Sequence, residues 1–242
     1  MPENVTAGEK LIVALDVKTL DEAALMVKKL GTAVRIFKVG MGLFTAYGPD
    51  AVKMVHDKGA KVFLDLKFHD IPNTVAHAVR SASKLGVFMM NIHAMGGSEM
   101  MSAASSAAAE AAAAASPGNR PILLGVTVLT SMDQASIGEI GVDRKIEEEV
   151  IALARLAKDA GLDGVVASPN ETPLIRQNLG KDFIIVTPGI RPAGAEKSDQ
   201  KRTMAPDGAI RAGADYIVVG RPVIEAKDPI SAAKSIIKEM EG

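Results

Sequence analysis

At 242 residues the chain is long for one ordinary domain but of usual size for a single α/β barrel, and 48% hydrophobic residues supply a large core. A formal net charge of −1 argues against a nucleic-acid footprint or a polybasic membrane patch, so any phosphate site must be local. The absence of cysteine excludes disulfides, thiolate catalysis and cysteine metal ligands, and suits a reducing compartment.

The opening MPENVTAGEK has no apolar signal core and is expected to lead directly into a strand. Residues 11–17 (LIVALDV) are almost wholly apolar until Asp16, as a parallel strand buried on both faces requires. A helix is expected over 19–30, with Thr19 as cap, Glu22 three residues on, and Leu25, Met26 and Leu30 before Gly31. The second strand, 35–41 (RIFKVGM), carries Lys38, and a helix over 50–58 closes at Gly59.

The third strand opens the stretch KVFLDLKFHDIPNT, 61–74. Alternate side chains of a strand share a face, so Asp65 and Lys67 point together while Leu64 and Leu66 point away. Asp70 follows where the strand should end and could approach the same lysine. A helix over 74–85 ends at Gly86, the fourth strand is 88–93, and an alanine-rich helix over 99–115 is broken at 116–119. That helix is interrupted by Glu110 and reads as a helix former rather than a membrane span. The fifth strand is 122–130 (ILLGVTVLT), then come a polar connection, a helix over 145–160, a sixth strand over 164–168 and a helix over 171–179. The seventh strand, 183–187, runs into a long Gly/Pro/charged loop over 188–202. A helix through Ile210, an eighth strand over 216–220 and a closing helix over 229–240 complete the chain.

Eight short strands alternating with helices predict parallel pairing, and eight such units in this length predict one closed (β/α)8 TIM barrel domain over 1–242. An open doubly wound sheet is the competing architecture, but no Gly-x-Gly-x-x-Gly follows any strand. A cytoplasmic location is the simplest expectation.

In such barrels the site lies at the C-terminal ends of the strands. Here those ends carry Asp16, Lys38, Asp65, Lys67 and His93, with Thr130 at the end of the fifth strand. An isolated Asp-x-Lys suits an ordinary ion pair, but charges interrupting three successive apolar strands near one end favour a working cluster. The loops after the last two strands carry Pro188-Gly189-Ile190-Arg191-Pro192 and Gly220-Arg221-Pro222. Glycine lets backbone amides approach a phosphate and an arginine fork pairs with its oxygens, although the same residues also suit tight turns and solvated arginines. The 188–202 loop exceeds the usual connection length, as a lid would. His56 and His77 fall on helices and read as surface or packing residues, and His93 as packing or hydrogen bonding. The Met pairs at 89–90 and 100–101 read as packing, and the run 145–149 as a solvated helix start.

With these pieces in place the chain resembles the orotidine 5′-monophosphate decarboxylases of bacterial type. The resemblance runs through LIVALDV, FKVGMGLF, VFLDLKFHDIPNTV, NIHAMGG, VTVLTSM, TPGIRP followed by DQKR, and VVGRPV. The Asp-x-Lys-x-x-Asp core is shared with hexulose-phosphate synthases, whereas DLKFHDIPNT and the PGIRP-to-Gln200 loop are more specific. The implied activity is conversion of orotidine 5′-monophosphate to uridine 5′-monophosphate and CO2, the last step of de novo pyrimidine nucleotide synthesis, without cofactor or metal. The resemblance implies that Asp16 and Lys38 contact the ribose, that Asp65 lies beside the substrate carboxylate, and that Lys67 stabilises and protonates the carbanion. It implies a homodimer in which Asp70 and Ile71 enter the neighbouring site. Thr74 and Pro188 join the binding residues, Thr130 lies near the pyrimidine, and Arg191, Gln200, Gly220 and Arg221 hold the phosphate. No nucleic acid or membrane partner is implied.

Three rivals keep the barrel. A Schiff-base aldolase needs an unprotonated lysine, which adjoining carboxylates oppose. A hexulose-phosphate synthase would use the cluster with Mg2+ and an enediolate. A non-catalytic nucleotide-binding barrel would hardly need so costly a charge arrangement.

Overall fold

The computed structural model describes residues 6–114, 120–192 and 202–242. In chain order its elements are α1 (Ala7–Lys10), β1 (Leu11–Ala14), α2 (Leu20–Leu30), β2 (Ile36–Gly40), α3 (Met41–Tyr47), α4 (Pro49–His56), β3 (Lys61–Phe68), α5 (Pro72–Ser83) and β4 (Met89–His93). A 3-10 turn (Ala94–Gly96) leads to α6 (Gly97–Ala114), β5 (Ile122–Val126), α7 (Gln134–Glu139), α8 (Ile146–Asp159), β6 (Gly164–Val166), α9 (Thr172–Leu179) and β7 (Ile184–Thr187). The chain ends with α10 (Pro206–Arg211), β8 (Tyr216–Val219), α11 (Arg221–Ile224) and α12 (Pro229–Glu241). The strands form a closed parallel barrel in the order β1 to β8, with β8 pairing back onto β1. The expected (β/α)8 architecture is therefore present.

Two apolar layers hold it. Strand parity sends Leu11, Val13, Phe37, Val39, Val62, Leu64, Met90 and Ile92 outward against the helices. The opposite parity sends Ile12, Ala14, Ile36, Phe63, Met89, Leu124, Val186, Tyr216 and Val218 into the barrel, where they pack as a filled core rather than a pore. At the N-terminal face, partly buried ion pairs are tied to strand backbones. Asp163 pairs with Arg120 at 2.6 Å and accepts the Leu123 N–H, while Asp215 pairs with Arg176 at 2.8 Å and accepts the Ile185 N–H. Those charges are consumed by structure.

The differences from the sequence reading are local. The chain does not run straight into β1: Glu9 accepts hydrogen bonds from the Thr6 N–H and hydroxyl, setting up the single turn α1. Three further short helices, α3, α7 and α11, occupy stretches whose hydrophobic periodicity indicates strand end or connection. The fifth strand ends at Val126 rather than at residue 130. An unbroken apolar run cannot mark where pairing stops, and here the carbonyls of Val128 and Leu129 are taken by the Arg202 guanidinium instead of a neighbouring strand. The break at 116–119 and most of the 188–202 loop lie outside the described residues. Among the described residues no helix is long and apolar enough to cross a membrane.

Closure of the barrel leaves a tight spot between β6 and β7. A Cβ on Gly164 would collide with the Ile184 carbonyl oxygen, a backbone atom fixed in the ladder. Gly164→Ala should therefore destabilise the chain by about 1–3 kcal/mol or more, read as a lower urea midpoint with an unchanged slope.

Candidate active site

The inward parity that is apolar at the barrel floor turns polar towards the C-terminal ends. Ile12 and Ala14 are followed by Asp16, Ile36 by Lys38, Phe63 by Asp65, and Met89 by Asn91. These side chains open into a cleft of about 260 Å3, whose floor includes Phe63, Val126, Val166 and Val218. The charged residues alternate in sign. Lys38 Nζ lies 3.4 Å from Asp16 Oδ1 and 3.1 Å from Asp65 Oδ2, and Lys67 Nζ lies 2.6 Å from Asp65 Oδ1. Asp65, only 8% exposed, is thus shared by two ammonium groups.

Lys67 reaches this position in a way strand parity does not describe. β3 and β4 change register between Leu64↔Met90 and Phe68↔Ile92, and Lys67 in that irregularity has φ +50. The side chains of Asp65 and Lys67 do meet, but through a bulge rather than along a regular strand.

Burial alone would raise the pKa of Asp65, but Lys38, then Lys67 and the hydrogen bonds from Lys67 and Asn91, outweigh it and hold the carboxyl at about 2. For Lys38, burial opposes the charge, yet Asp65 and Asp16 prevail and its pKa is raised. His93 is half-buried with its ring 5.4 Å from that of His69. Burial, and then the neighbouring His69 and Lys67, lower its pKa.

The other side of the cleft comes from the late strands. Leu129, Thr130 and Ser131 after β5, Pro188 and Arg191 after β7, and Gly220 and Arg221 after β8 all line it. The β7 loop is pinned at its base. Arg191 N–H donates to the Met204 carbonyl at 2.9 Å, and Met204 N–H to that of Gly189 at 3.2 Å. Gly189 has φ +82, and a Cβ there would meet the Arg202 carbonyl oxygen at 2.7 Å, so glycine is required at this return. Arg202 is itself buried, with Nη1 2.7 Å from Glu171 Oε2 and Nη2 donating to Val128 and Leu129. That links the loops after β5, β6 and β7.

Of the expected site residues, Asp16, Lys38, Asp65, Lys67, Thr130, Pro188, Arg191, Gly220 and Arg221 converge on the one cleft. Asp70, Ile71 and Thr74 do not line it. They lie at the exposed start of α5, where Asp70 Oδ1 accepts the Ile71 N–H at 2.7 Å and Ile71 is 67% exposed. Lys67 pairs with Asp65, and within the described residues Asp70 makes no ion pair with it, an approach that the sequence left open. Gln200 lies outside the described residues. Among the described residues, no three of His, Cys, Asp and Glu are grouped so as to hold a metal ion.

The chain as a whole has known relatives. Residues 9–236 match the model of the "Orotidine 5'-phosphate decarboxylase / HUMPS family". The chain belongs to this family. It is 55% identical over 236 residues to the orotidine 5′-phosphate decarboxylase of Syntrophotalea carbinolica, covering 98% of this chain and 96% of that one. Against the protein of the same name from Moorella thermoacetica it is 52% identical over 238 residues, covering 97% and 93%. The solved structure of orotidine 5′-phosphate decarboxylase from Lactobacillus acidophilus superposes with TM-score 0.84 at 40% identity, covering 97% of this chain and all of that one. The fold is therefore that of this family, and these named relatives are carboxy-lyases.

Two features of the site were not anticipated from sequence. Asn91 donates to Asp65 Oδ1 at 2.7 Å and accepts the Lys67 N–H at 2.8 Å. Its signal was a lone amide in the apolar strand MMNIH, at inward parity. The buried Arg202–Glu171 pair had no sequence signal, since its partners are 31 residues apart, numbered 171 and 202, and lie on separate loops.

The Asp65 pKa has a stability consequence with a definite sign. Its folded value of about 2 lies below the ordinary 3.8, so the stabilisation is fully present above pH ~4 and is lost as pH falls through about 2. The magnitude is on the order of 2 kcal/mol. A carboxyl-carbon NMR titration should place the Asp65 midpoint near 2; a midpoint near 4 would show that the two ammonium groups do not hold it.

Proposed function

We propose that this chain decarboxylates orotidine 5′-monophosphate to uridine 5′-monophosphate and CO2, without cofactor, as one barrel domain over 1–242. The observation that carries this reading is the Asp65 carboxylate bound between Lys38 and Lys67 above an apolar floor, with two arginines across the same cleft. The names of the relatives at about half identity over nearly their full length favour the decarboxylase branch of the family over sugar-phosphate chemistry.

In this reading Pro188, Arg191, Gly220 and Arg221 receive the phosphate, Asp16 and Lys38 the ribose hydroxyls, and Thr130 lies by the pyrimidine. The scissile carboxylate lies against Asp65. Loss of CO2 from a vinylic ring carbon leaves a localised carbanion, with no conjugated sink to spread the charge. The Lys67 ammonium, fixed before the reaction begins, stabilises the developing anion with little reorganisation and then donates its proton to that carbon. Departure of CO2 also removes the repulsion between two carboxylates. Two unit charges about 4 Å apart at an effective dielectric near 20 interact by roughly 4 kcal/mol. That is only part of the ~8–23 kcal/mol by which enzymes typically lower barriers. Binding energy from the remote phosphate supplies a further share by fixing the reacting ring against the cluster.

The exposed position of Asp70 and Ile71 supports a two-chain site, in which each protomer of a homodimer presents both residues to its partner's cleft. Asp70 then completes the alternation of charge around Lys67.

Ultraviolet absorbance of orotidine 5′-monophosphate with purified protein in excess EDTA tests the activity. Rapid conversion is expected, and Lys67→Ala should reduce it at least ~10^4-fold while far-UV circular dichroism stays unchanged. No conversion, with phosphosugar activity restored by Mg2+, would overturn the assigned reaction. The shared site has its own test. Mixing Lys67→Ala with Asp70→Ala chains should regain activity as subunits exchange, because half of the sites in mixed dimers combine an intact Lys67 with an intact Asp70. Demonstrated exchange without any gain would rule out the contribution in trans.

A further inference from the structure

We infer that Asn91 is a positioning residue that clamps Lys67 at both ends and so sets where its ammonium group points. Leu64 pairs with Met90 and Phe68 with Ile92, so four residues of advance along β3 face only two along β4. The excess is absorbed around Lys67, the one non-glycine residue with positive φ among those described. A left-handed conformation is strained for a non-glycine residue, and it persists only where the surroundings over-determine it. On its other side, β4 is regular: Asn91 itself pairs with Leu124 of β5. The irregularity therefore belongs to the β3 side alone, where the Asn91 side chain meets it.

Asn91 is 1% exposed and both ends of its amide are used. Its Oδ1 accepts the Lys67 N–H at 2.8 Å, and its Nδ2 donates to Asp65 Oδ1 at 2.7 Å. That same oxygen lies 2.6 Å from Lys67 Nζ. The result is a closed ring running from the Lys67 backbone through Asn91 and Asp65 to the Lys67 ammonium. The backbone N–H is only a donor and the carboxylate only an acceptor, so the ring needs one acceptor and one donor on adjacent atoms. A carboxamide meets that requirement. An apolar side chain would leave the Lys67 N–H unpaired and take from Asp65 Oδ1 one of its two donors, and an ionised carboxylate would face Asp65 with no proton to share. The orienting role bears on catalysis through the decarboxylase reading above, on which it rests.

The test combines kinetics with a measurement that needs no turnover. Asn91→Ala and Asn91→Asp should lower kcat about 10^2-fold, the scale expected when a reacting group is misplaced by about 1 Å. KM should change by less than roughly threefold, because the phosphate and ribose contacts are untouched. In Asn91→Asp, kcat relative to wild type should rise as pH falls, since a protonated carboxyl restores one acceptor and one donor. If Asn91→Ala does not fold, the pH profile of Asn91→Asp decides. In the folded variants the Asp65 carboxyl midpoint should move up from its wild-type value, and the Lys67 amide proton should exchange faster. Wild-type kcat in both variants, or a loss without acid-side recovery and with an unmoved Asp65 midpoint, would overturn the clamp. Absence of decarboxylation by the wild-type chain would instead defeat the underlying reading, and the midpoint and exchange data would then judge the clamp alone.

Discussion

The carboxylate of Asp65 is the group on which the barrel mouth depends. It is nearly buried, and taking an ion out of water costs several kcal/mol even after relaxation. Lys38, Lys67 and Asn91 together offset that cost, one oxygen accepting from two donors and the other from Lys38. A buried ion pair is weak evidence for stability, because a well-packed apolar replacement often does as well. Its presence within a strand whose lower positions are filled by Phe63 and Leu64 makes sense if the field it creates is used. The contrasting ion pairs at the N-terminal face, Arg120–Asp163 and Arg176–Asp215, are tied to strand backbones and leave no charge facing an open cleft.

From this centre the barrel divides into two functional halves. The first half carries the charges: Lys38 and Asp65 on regular ladder positions of β2 and β3, Lys67 in the irregularity of β3, and Asp16 just beyond β1. β5 to β8 carry apolar floor residues and hand the polar work to their loops, with Thr130, Pro188, Arg191, Gly220 and Arg221 at the rim. In the proposed reaction, the chemistry that needs a preorganised field falls to the first half, and recognition of the remote phosphate falls to the loops of the second. Arg202 joins the loops of the second half by bonding Val128, Leu129 and Glu171.

Much of this was legible in the sequence because strand period and apolar content are strong signals. Charges at inward positions of otherwise apolar strands identified Asp16, Lys38 and Asp65 directly. What escaped has physical causes. Thr130 was read as a strand residue because nothing in ILLGVTVLT records that Arg202, 72 residues beyond it, would claim the carbonyls that pairing needs. Helices such as α3 and α11 are too short to show a period, and α7 is set by the Asp133 cap within a polar stretch. Asn91 was passed over because a single amide in a strand has no spacing to reveal it. Asp70 was legible as a charged residue near the cluster but not as one left exposed at the start of α5, since exposure leaves no mark on so short a stretch.

The bulge in β3 explains why Asp65 and Lys67 can do different work from adjacent inward positions. In a regular strand their Cα atoms would be about 6.5–7 Å apart with parallel side chains, and both would climb the barrel wall together. Turning Lys67 into the left-handed region breaks that parallelism and brings its ammonium back onto the Asp65 carboxylate at 2.6 Å. Geometry of this kind cannot be held by the ladder, because the ladder is what has been given up. It must be held by a side chain from the neighbouring strand. The strain at Lys67 and the buried amide of Asn91 are therefore two sides of one arrangement, in which regular pairing is exchanged for a charge held at a chosen point.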